Sequence, residues 1–433
     1  MEVTLVASIG LVAVVIFTLI GIPIGYSIGF CGVIATLILW GPHGLTKLGG
    51  VVYTEFFSQS WTALPLYVLL AAMINVTGIG ADIFQTAKNW LARLRGGVIV
   101  SAIVAEGIMG AAIGNSTLTL LSVGKVAVSQ AEKLGYNKEF TAAAITAGGV
   151  LGPLIPPSIP MIVYGIMAQQ SIARLFIAGI IPGVTLCIML SIFVLAMVFR
   201  RPQLAPLSES VSWREKLTSS YKVWPIIVVL VSLIGGLYMG VVTSSEAAGL
   251  GVFVILIIAF AFYRLRVSEL LQSATDAAIT SGMIFIMIIA VKMFTYMVAG
   301  SGMAEHLADV IVAAQLSPWI VIVTINLILI VLGCVVDALA LMLLTIPFFI
   351  PIIQGLDYSL IWFGVVVGVN IEIALLTPPI GLNLFIAKGA FDIPIGQFVR
   401  AILPFTVLLM VFLGIIIAFP ILSTWLPSIM FGG

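Results

Sequence analysis

The sequence is built from apolar runs as long as a lipid bilayer is thick. A helix needs roughly 20 apolar residues to cross the hydrocarbon core. Runs of that kind recur at 4–20, 22–40, 61–80, 175–199, 223–242, 246–263, 277–300 and 401–420, and two more, 140–168 and 360–388, have the length but are interrupted. Runs this continuous exclude a transmembrane barrel, whose strands alternate over about ten residues. Only 8% of the residues are charged and 62% are hydrophobic, whereas a soluble domain carries about a quarter charged residues. Disorder is excluded on the same ground. With 18 Lys and Arg against 17 Asp and Glu there is no basic surface for nucleic acid. Cys31, Cys187 and Cys334 sit singly in apolar stretches, and His43 and His306 are isolated, so neither a disulfide framework nor a metal site is expected. The chain is expected to be an all-α polytopic membrane protein. Its first run has Glu2 where a signal peptide would be basic, so that run is expected to stay as a span.

Two apolar stretches, about 97–128 and about 317–355, are too long for one helix and polar at their middles: Gly114-Asn115-Ser116-Thr117 in one, Gly333 to Asp337 in the other. Positive residues mark cytoplasmic loops. Lys88, Arg93 and Arg95 precede the first stretch and Lys133 and Lys138 follow it, while Glu305, Asp309 and Asp357 flank the second, with no Lys or Arg between Lys292 and Lys388. Two re-entrant hairpins entering from opposite faces fit these charges. The connector 200–222, rich in Arg and Lys, is then cytoplasmic, and both termini are expected on the periplasmic side.

A repeat supports two halves, 1–199 and 223–433. At an offset of 222 residues Pro156-Pro157 falls on Pro378-Pro379, Pro182 on Pro404, Leu134 and Tyr136 on Leu356 and Tyr358, and Asn115 on Asp337. Hairpins of opposite orientation make the repeat inverted, a common plan of secondary transporters. Spans 4–40 and 223–263 open the two halves, and the broken helices 140–168 and 360–388 follow the two hairpins.

Paired prolines inside a span remove hydrogen bonds and free carbonyls about a turn earlier. Unwound backbone at membrane depth is tolerated only within protein or against a watery cavity, where its oxygens suit an alkali cation. Two sodium sites are therefore expected. One would use Gly114, Asn115 and Ser116 with carbonyls near Gly149 and Pro156; the other would use Gly333, Asp337 and Thr377. Sodium is favoured over protons because no His or carboxylate chain offers a relay.

The runs GNSTLTLLSVGKVAVSQAEKLGYNKEFTAAAITAGGVLGPLIPPSIPMIVYG, GVVTSSEAAGLGV and VVDALALMLLTIPFFIPIIQGLDYSLIWFGVVVGVNIEIALLTPPIGLNLF closely resemble the large membrane subunit of TRAP (tripartite ATP-independent periplasmic) transporters, along essentially the whole chain. The resemblance implies a sodium-coupled elevator in a bacterial inner membrane, for which spans 4–40 and 223–263 are expected to be a fixed scaffold and the hairpins and broken helices the unit that moves against it. It also implies two partners, a small four-helix membrane subunit and a periplasmic binding protein, and a carboxylate or sialic acid as substrate. It implies the separate large subunit and not a fused form. The first tip reads Ile-Gly-Asn-Ser where the family commonly has Ser-Gly-Ser-Ser, so backbone ligation is expected there ahead of side-chain ligation.

Acids and bases at membrane depth are functional candidates. Asp337 is read as a cation ligand or its support, against a capping role. Glu372 is expected to orient the unwound segment, and Glu246 to start a helix after Thr243. Lys292 is expected to pair with Asp337 or Glu372, or to meet a substrate carboxylate; Ser158, Lys292 and Asn383 are the substrate-cavity candidates. Glu106 and Lys125 are expected to pair or to reach the interface. There is no zinc spacing, nucleophile elbow or phosphate loop, so no enzyme, no ATP and no covalently held cofactor are expected. The alternative function is a stand-alone sodium/carboxylate symporter of the same broad fold, without a binding protein.

Overall fold

The computed structural model describes residues 2–207, 211–303, 306, 309–310, 316–379 and 381–432, without the side chains of 2 and 3. Glu305, one flank of the second hairpin, and Ile380, in the second break, lie outside the described residues. All regular structure among the described residues is helical. In chain order the helices are α1 (Glu2–Leu19), α2 (Ile24–Phe56), α3 (Ala63–Thr77), α4 (Ile79–Leu91), α5 (Gly97–Ile113), α6 (Ser116–Lys133), α7 (Lys138–Gly148), α8 (Leu151–Leu154), α9 (Ile159–Met167) and α10 (Ile172–Arg200). After a short polar connector come α11 (Trp213–Tyr221) and α12 (Trp224–Tyr238). The remainder are α13 (Ser244–Phe262), α14 (Val267–Ser301), α15 (Pro318–Gly333), α16 (Ala338–Gly355), α17 (Leu360–Leu376), α18 (Leu382–Phe391), α19 (Ile395–Ala418) and α20 (Ile421–Phe431). Among the described residues seven helices are long and apolar enough to cross a membrane, or up to nine if each bent pair is one span.

Most boundaries follow from capping chemistry. A side chain that accepts from the first-turn N–H groups stabilises a helix start by about 1 kcal/mol. Asn115, Asn137, Asp337 and Ser359 do this for α6, α7, α16 and α17. Under the 222-residue offset these four starts superpose pairwise, 116 on 338 and 138 on 360. Glu246 has the helix-start role expected of it. Its Oε2 accepts from Thr243 N at 2.8 Å, and Thr243 Oγ1 accepts from Glu246 N at 3.3 Å.

Two spans extend beyond their sequence ranges, and one helix lies outside all of them. α2 runs past residue 40 to Phe56, bending at Gly41, whose φ of 61° and ψ of −159° lie outside helical space just before Pro42. α14 starts ten residues before the expected 277, because Glu269 bonds back to Arg266 N at 2.8 Å and extends the polar first turns. α20 was not anticipated; Pro420 separates it from α19.

Two environments result. α5 and α17 are buried on almost every side, as expected of helices apolar all round. α1 and α2 leave wide apolar faces exposed, including Leu5, Ile9, Ile16, Phe30 and Ile38. α14 lies along α2 and α3, and α13 along α3. In the centre the halves cross over. The second hairpin arm α6 packs on α18, beyond the second break, and the second hairpin arm α16 packs on α9, beyond the first.

Candidate functional site

At the first break α8 ends at Leu154, and Ile155-Pro156-Pro157-Ser158 follows, with the Pro156-Pro157 peptide cis. Helix resumes at Ile159 because Ser158 Oγ accepts from Met161 N at 3.3 Å. The carbonyls of Ile155, Pro156 and Pro157 receive no hydrogen bond from the described residues. The first hairpin tip lies against this break. Gly114 ends α5 at φ +66°, and its carbonyl accepts from Ile159 N at 3.2 Å. A Cβ at Gly114 would stand 2.5 Å from the Pro157 carbonyl oxygen, so this position needs glycine for its dihedral and for its close approach.

The second break repeats the plan. α17 ends at Leu376, Thr377 is extended with its Oγ1 bonded to Ile373 O at 2.7 Å, and Pro378-Pro379 is again cis. Gly381 N donates to Cys334 O of the second tip at 3.3 Å. In each half, the residue just beyond the break thus donates its backbone N–H to a carbonyl of the hairpin tip. Asp337 caps α16, its Oδ2 accepting from Leu339 N at 3.1 Å. This is the capping role weighed against cation ligation, and it leaves the exposed carboxylate with further lone pairs.

One side chain ties the halves together. Asn383, fully buried, donates from Nδ2 to Ser116 Oγ at 2.9 Å and accepts at Oδ1 from Thr117 Oγ1 at 2.7 Å. Glu372, also buried, interacts with Ser116, while its Oε2 has no hydrogen-bond partner among the described residues. Both residues come from the second half and act on the first tip. Asn383 is therefore engaged within the protein, not free in a substrate cavity, and Glu372 reaches across to the other half's tip instead of bonding its own unwound segment. Ser158 is likewise buried and spent on capping.

Asn115 and Asp337 share one cavity of about 370 Å³, walled on the far side by α3 and α14. Of the expected site residues, these two line it; Gly114, Ser116, Gly149, Pro156, Gly333 and Thr377 do not. Gly149 O already accepts from Gly152 N at 3.0 Å.

Lys292 lies elsewhere. Its Nζ is 3.2 Å from Glu55 Oε1, which also accepts from Trp61 Nε1 at 2.7 Å. The expected pairing with Asp337 or Glu372 is corrected: α14 lies along α2, which brings Glu55 to Lys292. Both line a separate polar cavity of about 630 Å³ with Gln169, Gln170 and Ser171. Glu106 and Lys125 do not pair either. Lys125 is exposed, whereas Glu106 is fully buried, and neither of its carboxylate oxygens has a hydrogen-bond partner among the described residues. The reason is that Glu106 faces α7 and α10, against Gly148 and beside Cys187.

The reading of residues missed one polar contact of this region. Asn370 Nδ2 donates to Asn326 Oδ1 at 2.7 Å, fixing the first arm of the second hairpin to the broken helix. An asparagine in each of two otherwise apolar helices was the available signal.

The profile of the tripartite ATP-independent periplasmic transporter family, DctM component, matches residues 11–422. The C4-dicarboxylate TRAP transporter large permease protein DctM of Pseudomonas aeruginosa is 31% identical over 93% of this chain and 94% of its own. The sialic acid TRAP transporter permease protein SiaT of Haemophilus influenzae is 32% identical over 98% of this chain and 68% of its own. Among solved structures, MtrF of Neisseria gonorrhoeae, described as an antimetabolite efflux pump, shares the fold with a TM-score of 0.60 at 16% identity, over 88% of this chain and 85% of its own.

Proposed function

The chain belongs to the tripartite ATP-independent periplasmic (TRAP) transporter family as its DctM component, the large membrane subunit, and from that premise we propose that it imports a small organic anion with sodium by an elevator motion. Its substrate belongs to the carboxylate or sialic acid class, as the names of its relatives suggest. It works in the bacterial inner membrane with a small membrane subunit and a periplasmic binding protein. Its relatives are named as transporter permeases, not enzymes.

The observation that carries the reading is the matched pair of tip and break. In each half a capped hairpin tip meets an unwound Pro-Pro segment, and a backbone bond joins the two, Ile159 N to Gly114 O and Gly381 N to Cys334 O. The free carbonyls of the first break and the carboxylate of Asp337 supply hard oxygen ligands of the kind an alkali cation takes. The matched helix starts support two inverted halves, 1–199 and 223–433, joined by a cytoplasmic connector, with hairpins entering from opposite faces and both termini periplasmic. The contrast between buried α5 and α17 and the exposed α1 and α2 supports a moving core against a fixed scaffold.

The test is uptake into proteoliposomes holding this chain and both partner proteins, with sodium and proton gradients varied independently. Sodium-driven uptake, weakened in Asp337→Ala and Thr377→Ala, is expected. Uptake driven by protons alone, with Asp337→Ala like wild type, overturns the sodium assignment. A complete crosslink between hairpin tip and scaffold is expected to stop transport; full-rate transport after it overturns the elevator.

A further inference from the structure

The helix that joins the two halves is turned inside out. α11 exposes Trp213, Leu217 and Tyr221, at 65%, 63% and 76% of their surface, and buries Lys216 and Ser219. Residues four apart share one face of a helix, so an apolar stripe looks away from the protein while polar groups look inward. The inward face is fastened to α4. Thr86 Oγ1 donates to Ser219 O at 2.8 Å, and Trp90 Nε1 donates to Ser220 Oγ at 2.8 Å. Lys216 Nζ sits over the rings of Trp90 and Trp213, 5.7 and 5.1 Å from their centroids, a favourable place for a cation. Lys222 Nζ lies 3.9 Å from Asp82 Oδ1. The helix cannot turn its stripe inward without giving up these contacts.

Position decides what the stripe meets. α10 ends at Arg200 and α12 starts at Trp224, both membrane spans, so the connector that carries α11 lies at one face of the bilayer. α11 is bent 43° from α12, and at 1.5 Å per residue its nine residues carry it about 10 Å beyond the start of that span. The headgroup layer is about 5–7 Å deep on each side of the hydrocarbon core, so the stripe runs through it. Trp and Tyr are enriched at that depth. The free charge at this level is cationic. Arg200, Arg201 and Arg214 are exposed, with no side-chain hydrogen bond or ion pair among the described residues. Glu215, in contrast, turns back onto Ser212, its Oε2 accepting from Ser212 N at 3.0 Å.

We propose that α11 is a docking surface for an anionic phospholipid. The headgroup phosphate lies against Arg214, with Arg200 and Arg201 adding positive field at the same face, and the upper acyl chain lies along Trp213, Leu217 and Tyr221. The inference needs only that the chain spans a membrane; it is independent of the coupling ion and the substrate.

The test has two arms, both on the full chain. In the first, a fluorophore is placed at Leu217→Cys in nanodiscs, with and without the small membrane subunit; the wild type, whose three cysteines are buried or part-buried, is the labelling control. Quenching by a lipid with a nitroxide on its headgroup, and shielding from aqueous iodide, are expected. Quenching by iodide, or shielding from both quenchers, which means that protein covers the stripe, overturns the inference. In the second arm, phosphatidylglycerol and phosphatidylcholine are titrated onto the purified chain and bound lipid is counted by native mass spectrometry. Phosphatidylglycerol is expected to bind more tightly. Each basic residue near an anionic surface contributes about 1 kcal/mol, or roughly fivefold. Arg214→Gln is therefore expected to weaken the tightest phosphatidylglycerol site about fivefold, and its combination with Arg200→Gln and Arg201→Gln about a hundredfold. Equal binding of the two lipids, or phosphatidylglycerol binding unmoved by the triple variant, overturns the inference.

Discussion

In the first half the first hairpin arm meets the broken helix backbone to backbone, whereas in the second the corresponding pair of positions meets through side chains. A Cβ at Gly110 would stand 2.6 Å from Gly152 Cα. Under the 222-residue offset the same two positions are Leu332 and Ala374. The buried polar groups differ in parallel. The second half has the Asn326–Asn370 pair, with Asn326 Nδ2 passing its own bond to Ile322 O at 2.7 Å. The first has Glu106, alone against Gly148. One topology has thus been packed in two ways: glycine meets backbone in the first half, whereas in the second Gly333 meets the side chain of Ala374 and an asparagine pair adds hydrogen bonds. The comparison teaches that the expected symmetry of the sites need not extend to the energetics of what holds them.

The largest effect is expected where backbone meets backbone. Gly110→Ala cannot be relieved by a rotamer change and should cost roughly 3 kcal/mol, the upper end for overpacking; Leu332→Ala should cost about 2 kcal/mol as a partly buried truncation. Thermal unfolding in detergent measures both. An unchanged melting temperature for Gly110→Ala would erase the distinction between the halves. Next, Asn370→Leu strands the amide of Asn326 and should destabilise by about 2 kcal/mol. Pairing it with Asn326→Leu should recover most of that loss, because two apolar partners leave nothing unsatisfied; strict additivity in the double-mutant cycle would deny the pair. The smallest effect is at Glu106. Removing a buried polar group that has no partner releases a desolvation cost, so Glu106→Leu should be neutral or stabilising by about 1 kcal/mol. Destabilisation by a similar amount would reveal a partner for this carboxyl and sharpen the contrast in the opposite direction.

Which features the sequence discloses follows from how local their causes are. The breaks and tips were legible because Pro-Pro and a capping Asn or Asp act on their own neighbours; Asn115 and Asp337 cap within three residues of themselves. The start of α13 was legible at Thr243-Ser244-Ser245-Glu246 for the same reason. Long-range pairings were not. Lys292 finds Glu55 and Asn383 finds Ser116 across most of the chain, and no periodicity or charge count selects among distant partners. Glu106 shows the same limit from another side. Its place in one arm of the first hairpin suggested Lys125 in the other, but the face it occupies on α5 points to α7 and α10, and only packing determines that face.

Asn383 sits 267 residues from Ser116 and uses both ends of its amide on the first tip. Sliding the second break past that tip would strip the donor and the acceptor of a buried amide at once. The two halves are therefore latched at their most loosely wound point, and a push on either side is felt on the other without a joint between them. The fold has two arms and a single lever.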